Sequence, residues 1–189
     1  MTETPNPNIV DTDTLTGEMH PIRRCVISLG SNLGERLNTL QGALNSLADT
    51  PEVWVTGVSP VYETVPVDAP EGSKDFLNAV VLADTTLSAR TLLDRAHAIE
   101  DAYGRERTGE YAAPRTLDVD LVQVGDRRSS GDELTLPHPK ASERAFVLAP
   151  WHDLEPEAEL LDAGPVAKLL EKVGEEGTTR RDDLVLHLQ

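Results

Sequence analysis

The segment Pro114-Arg115-Thr116-Leu117-Asp118-Val119-Asp120-Leu121-Val122 holds the residue types and spacing best suited to chemistry. Read as a strand, it points Leu117, Val119 and Leu121 to one face and Asp118 and Asp120 to the other. Two residues of rise set the aspartate Cα atoms about 6.6 Å apart. Such carboxylates can hold one hard cation between them or two side by side. Mg²⁺ takes a site of this kind, completing its shell with waters and the oxygens of a substrate phosphate. Arg115, a fixed cationic fork next door, suits that phosphate. A strand with one buried and one wet face shows the same alternation without any chemistry. The cations Arg105, Arg107 and Arg115 just ahead of the pair favour the anion site. Their plainer reading is a surface loop with Glu106 and Glu110 as ion-pair partners.

Charge narrows the choice. The formal net charge is -16, from 33 acids against 17 bases, which argues against a nucleic-acid backbone as partner because that requires a broad basic footprint. No basic amphipathic segment suited to a membrane surface is present either. Eight of the bases nevertheless fall between Arg95 and Arg144. Arginines clustered within an acidic chain fit a small polyanion, and a nucleoside triphosphate is the obvious one.

At 189 residues, the chain is long enough for one well-buried domain and short for two. The lone cysteine, Cys25, excludes an internal disulfide framework and sits in an apolar run typical of a buried strand. No apolar run is long enough to span a membrane. Residues 1–20 carry four acids and no Lys or Arg, the reverse of a signal peptide, so a cytoplasmic location is expected.

The elements that must position these residues follow from the patterning. Residues 1–22, rich in Thr, Pro, Asn and Asp, read as a disordered leader. A strand is expected from Arg24 to Leu29, then a helix with Leu37, Leu40, Leu44 and Leu47 on one face. A strand region over Val53–Tyr62 is broken by Gly57 and Pro60, and residues 65–75 read as a loop. Phe76–Ala83 is a strand with Phe76, Asn78, Val80 and Leu82 on one face and Leu77, Ala79 and Val81 on the other. A helix over Ser88–Tyr103 precedes the Asp-x-Asp strand. This β-α-β-β-α-β order is the ferredoxin-like pattern, an α+β sandwich of antiparallel sheet with both helices on one face. Extra C-terminal elements follow: an edge strand at Leu134–Leu136, a helix over Arg144–Leu154 and another over Val166–Val173 after Pro165. One domain over 23–173 and a charged tail over 174–189 are expected. Gly30-Ser31-Asn32-Leu33-Gly34 joins strand to helix but matches no phosphate-binding glycine motif and has no lysine, which excludes a P-loop kinase and favours a tight turn.

Several separated motifs in one order now carry a resemblance: Leu29-Gly30-Ser31-Asn32-Leu33, Tyr62-Glu63-Thr64, Phe76-Leu77-Asn78-Ala79, Ile99-Glu100, Gly104-Arg105-Glu106-Arg107, the Pro114–Asp120 run, Leu136-Pro137-His138-Pro139 and Arg144-Ala145-Phe146. From about Arg24 to Leu170 the chain resembles the 6-hydroxymethyl-7,8-dihydropterin pyrophosphokinases of folate biosynthesis, which move the terminal diphosphate of ATP onto a pterin alcohol and release AMP. The resemblance implies a ferredoxin-like fold with additions. It implies that Asp118 and Asp120 ligate two Mg²⁺ ions and that Arg105 and Arg115 grip the transferred phosphates as catalytic residues. Arg107, His138 and Arg144 would hold the triphosphate. Leu121, Leu134 and Thr135 would line the adenine site, and Glu100 falls at a nucleotide-side acid. Thr64 and Asn78 would hydrogen-bond the pterin edge, with Phe76 and Phe146 framing the ring. Phe76 and Asn78 share a strand face, giving a flat heterocycle one apolar wall and one amide; taken alone they also read as a core residue and a strand-end polar group. The expected partners are ATP and the pterin, with no nucleic acid or membrane, and a monomer.

The chain departs from the family pattern at three places. Tyr111-Ala112-Ala113 stands where a tryptophan is common before Pro114, His97 where glutamine is common, and Pro139 where an aromatic residue can follow His138. The loop 104–116 reads as a lid with Tyr111 as its aromatic cover. Two other classes fit less of the pattern: another Mg-dependent phosphoryl or nucleotidyl transferase, and a non-catalytic ferredoxin-like ligand-binding module.

Overall fold

In a computed structural model of the chain, residues 21–66, 71–104 and 117–189 are described. The leader to residue 20, Arg105, Arg107, Arg115 and the Tyr111 lid lie outside the described residues. Strand β1 (Arg23–Ser31) leads into helix α1 (Arg36–Asp49) through a turn in which Gly34 adopts φ +63°, a conformation glycine takes without strain. Strands β2 (Val53–Val58) and β3 (Tyr62–Thr64) both pair antiparallel with β4 (Phe76–Thr85) and act as one interrupted strand. The register shifts between Val55 and Gly57, and Pro60, which has no N–H to offer a ladder, lies in the gap between β2 and β3. Helix α2 (Ala89–Ala102) starts at Ser88, whose hydroxyl accepts from the Thr91 N–H at 3.1 Å, a favourable N-cap. Strand β5 (Asp118–Val124) then pairs antiparallel with β1.

The sheet order places β4 beside β1 and β1 beside β5, with β2 and β3 outside β4. That is the antiparallel ferredoxin-like arrangement the element order implies. Inward residues Cys25, Ile27, Leu29, Leu77, Ala79, Val81, Val119 and Leu121 meet Leu40, Leu44, Leu47, Leu92 and Ile99 of α1 and α2 in one core.

The structure adds detail to three of these expectations. The C-terminal elements are a second layer, so helices cover both sheet faces. Helices α3 (Ala145–Leu154) and, beyond the small hairpin of β8 (Glu159–Leu160) and β9 (Gly164–Pro165), α4 (Val166–Val173) build a separate core with Val26, Val80, Leu82 and Val122. The strand expected at Leu134–Leu136 is β7 (Thr135–Leu136), and it pairs with β6 (Ser129–Ser130) in a ribbon of its own, off the edge of the main sheet. Residues of the charged tail beyond 173 pack onto the domain: Thr178–Arg180 forms β10 on the outer edge of β3, and Leu186 is buried in the α1–α2 core. No helix among the described residues is long and apolar enough to cross a membrane.

Candidate active site

The second helical layer covers only half of its sheet face. Where α3 ends its cover, the same three strands show polar or absent side chains. Gly30 lies between Asn78 on β4 and Asp118 on β5, and Ser28 lies between Val80 and Asp120. Strand spacing of about 4.8 Å makes this a compact floor, rigid because the strands continue into the core beneath α3. Above it opens a cavity of about 390 Å³. Asp118 and Asp120 both border it, as do Thr64, Phe76, Asn78, Arg144 and Phe146.

Gly30 is not part of a tight turn, contrary to the sequence reading: it is a strand residue. A Cβ there would stand 2.9 Å from Asn78 Oδ1 and 3.6 Å from Phe76 Cδ1, so the missing side chain is what lets amide and ring sit over the floor. Asn78 Nδ2 donates to Thr64 Oγ1 at 2.7 Å, and both residues are buried. The pair orients the Asn78 amide, whose other N–H and carbonyl oxygen remain to be satisfied. The Arg144 guanidinium lies over the Phe146 ring, 5.4 Å from its centroid, a cation–π contact that draws the cation towards the cavity. Arg144 borders this cavity, on the pterin side of the expected assignment.

A second cavity of about 250 Å³ is bordered by Glu100, Leu121, Leu134, Thr135 and His138, and by His97. Asp120 borders both cavities. Apart from Arg144, the described residues expected to hold adenine nucleotide and those expected to hold pterin therefore fall into separate spaces that meet at one metal-type carboxylate. His138 Nδ1 accepts from the Lys140 N–H at 3.2 Å, which leaves Nε2 as the protonated, donating nitrogen. Burial, with Arg144 and then Lys140 adding to it, pushes the imidazole pKa down to about 4. It is a neutral donor at pH 7. Glu100 is 1 % exposed, and its Oε2 accepts from the Val119 N–H at 3.0 Å. That bond grips the β5 backbone between the two aspartates, a positioning role that sequence alone did not show.

A family model for 7,8-dihydro-6-hydroxymethylpterin-pyrophosphokinase (HPPK) matches residues 26–156. The chain belongs to this family. A Mycobacterium leprae 2-amino-4-hydroxy-6-hydroxymethyldihydropteridine pyrophosphokinase is 42% identical over 174 residues, covering 86% of this chain and 88% of that protein. Its Pseudomonas aeruginosa counterpart is 38% identical, covering 84% of this chain and 97% of its own length. Among solved structures, a Plasmodium falciparum HPPK-DHPS variant with pterin and p-hydroxybenzoate aligns with TM-score 0.68 at 15% identity, over 89% of this chain and 49% of that one. That likeness is one of fold, and this chain spans about half the length of that protein.

Membership in the pyrophosphokinase family makes the donor set of the aspartate pair worth testing against Mg²⁺. Asp118 and Asp120 offer only oxygen, and Ser28 beside them adds a hydroxyl. No group of three or more His, Cys, Asp or Glu suited to a metal occurs among the described residues. Two carboxylates with room for waters and phosphate oxygens suit Mg²⁺, which seldom takes an all-protein cage.

Sequence reasoning passed over several residues at the larger cavity: Ser28, Lys140, Glu143 and the stretch from Val173 to Thr178. Ser28 was legible, since alternation from Gly30 and Val26 puts this one hydroxyl on the site face. The Val173–Thr178 stretch gave no local signal at all.

Proposed function

We infer that the protein transfers the β,γ-diphosphate of ATP to the hydroxymethyl group of 6-hydroxymethyl-7,8-dihydropterin, giving AMP and the pterin diphosphate in folate biosynthesis. The observation that carries this reading is the placement of Asp120 on the border of both cavities. A nucleotide in the smaller cavity and a flat alcohol in the larger would meet over one carboxylate pair.

Thr64 and Asn78 hydrogen-bond the ring edge, and Phe76 and Phe146 frame its faces. Leu121, Leu134 and Thr135 receive adenine. His138 gives the triphosphate a single neutral N–H, while Arg144 and Arg107 give charge. Asp118 and Asp120 would hold two Mg²⁺ ions, which when bound neutralise phosphate charge and lower the pKa of the alcohol. The pterin oxygen attacks the β-phosphorus in line as the bond from that phosphorus to the α-phosphate oxygen breaks. AMP carries away the bonding pair, and the hydroxyl proton passes to solvent. Positioning and charge stabilisation dominate such transfers, and Arg105 and Arg115 supply the cations for the charge that develops. The enzyme acts as a monomer in the cytoplasm.

The test is product identity. ATP incubated with the protein and Mg²⁺, with and without the pterin alcohol, should yield AMP and pterin diphosphate only when both substrates are present. ADP as product would assign a different phosphoryl transferase. Pterin binding without turnover would leave a ligand-binding module.

A further inference from the structure

The stretch after α4 lies past the residues matched by the family model, yet it builds one wall of the larger cavity. Strand β10 adds to β3 antiparallel, with Thr178 opposite Thr64, Thr179 opposite Glu63 and Arg180 opposite Tyr62. Two further main-chain bonds extend this ladder: Val65 N–H to Gly177 O at 3.0 Å and Arg181 N–H to Val61 O at 2.8 Å. Strand β3 is only three residues long, and without β10 its outer side would be an unpaired edge.

Glu63 ties the assembly together from the opposite sheet face. One carboxylate oxygen accepts from Arg36 Nη1 at 2.7 Å and the other from Arg181 Nη1 at 3.0 Å. The same Arg36 nitrogen donates to the Asp75 carbonyl at 2.8 Å, immediately before Phe76. Arg181 forks onto Asp183 at 2.9 and 2.8 Å. The Arg36 guanidinium, and then Arg181, hold the Glu63 carboxyl below the usual carboxylate range. All three partners are half-buried, where ion pairs with matched geometry are worth more than on an open surface. Farther on, Gln41 exchanges two hydrogen bonds with the His187 backbone, both 2.9 Å.

We propose that Glu63, clamped between Arg36 and Arg181, is a positioning residue for the pterin half of the site. It holds β10 on β3 and Asp75 beside Phe76, so that Thr64, Phe76 and the Gly177–Thr178 wall stand in place before substrate arrives. The inference rests on the reading of the larger cavity as the pterin site. Its energetic logic is pre-organisation: a wall ordered in advance spares the substrate the cost of ordering it.

The experiment measures the two substrates separately. In Arg181→Ala and Glu63→Gln, the dissociation constant and KM for the pterin alcohol should rise about tenfold, as expected for the loss of roughly 1.4 kcal/mol of pre-organisation. The dissociation constant of a non-hydrolysable ATP analogue, which engages the other cavity, should stay within about twofold, a difference near 0.4 kcal/mol. Arg181→Lys, which keeps the charge but not the fork, should recover part of the pterin affinity. An equal loss for both substrates, or unchanged pterin binding in folded variants, would overturn the proposal. Hydrogen exchange of the unmodified protein keeps the test open if a variant does not fold. The Val65 and Arg181 amides should be protected without substrate, and exchange at the rate of an unstructured chain would refute the clamp. Failure of the unmodified protein to bind the pterin would instead sink the functional reading, and it shows before any substitution is made.

Discussion

One sheet face has two halves with opposite fates. In the first, Val26, Val80, Leu82 and Val122 lie under α3, whose Leu148 and Trp151 are 0 and 1 % exposed. In the second, on the same strands and the same face, Ser28, Gly30, Asn78, Asp118 and Asp120 border the open cavity. The two are one alternation step apart. Moving along β1 from Val26 to Ser28, or along β5 from Val122 to Asp120, exchanges a methyl-bearing side chain for a hydrogen-bonding one. The backbone is continuous, so the packed half anchors the chemical half. Functional groups on core strands inherit the rigidity of the core, which catalysis by positioning requires.

The sharpest way to break this comparison is to cut one group from each half. Asp118→Ala and Asp120→Ala should each lower turnover at saturating Mg²⁺ by at least about 10²–10³, the cost of one lost electrostatic group. Their unfolding free energy should change little. Leu148→Ala should do the reverse, costing about 2–5 kcal/mol of stability while the folded fraction keeps its turnover. Urea titrations and steady-state rates on the same preparations decide. Near wild-type turnover in either aspartate variant would end the metal assignment.

Gly30→Ala probes the seam between the halves. The added methyl meets Asn78 Oδ1 at 2.9 Å, so the amide must shift, at about 1–3 kcal/mol for overpacking. The loss should appear in pterin KM, with the ATP-analogue dissociation constant unchanged, because Asn78 borders only the larger of the two cavities. Equal weakening of both substrates would show that the cavities do not divide them.

The smallest effect concerns His138, and it is one of pH. Its imidazole pKa lies near 4 in the folded protein against an ordinary 6.5. Between these values the unfolded chain binds a proton that the folded protein does not. Its contribution to stability therefore falls as pH drops from about 6.5 towards 4. An NMR titration of the substrate-free protein should find one imidazole still neutral at pH 5, and His138→Gln should remove that resonance and flatten this part of the stability profile. A His138 midpoint near 6.5 would refute the buried, neutral donor.

Much of this was written in the sequence. The alternation at Leu117–Leu121 and Phe76–Leu82 assigned the faces of β5 and β4, because a strand turns each successive side chain through the same half-circle wherever it lies. The leucine spacing of α1 was legible for a similar local reason, the helical repeat. Tertiary structure alone decided what met across strands and at edges. It set Gly30 between Asn78 and Asp118, brought the buried Glu100 carboxylate onto the Val119 N–H, and covered half a sheet face with α3. It also brought Thr178–Arg180 back to β3 to wall the cavity. Edge pairing uses main-chain N–H and C=O groups that almost every residue carries alike, so no residue type announces it. Only the fold, by leaving one short edge open beside the site, selected the segment that would close it.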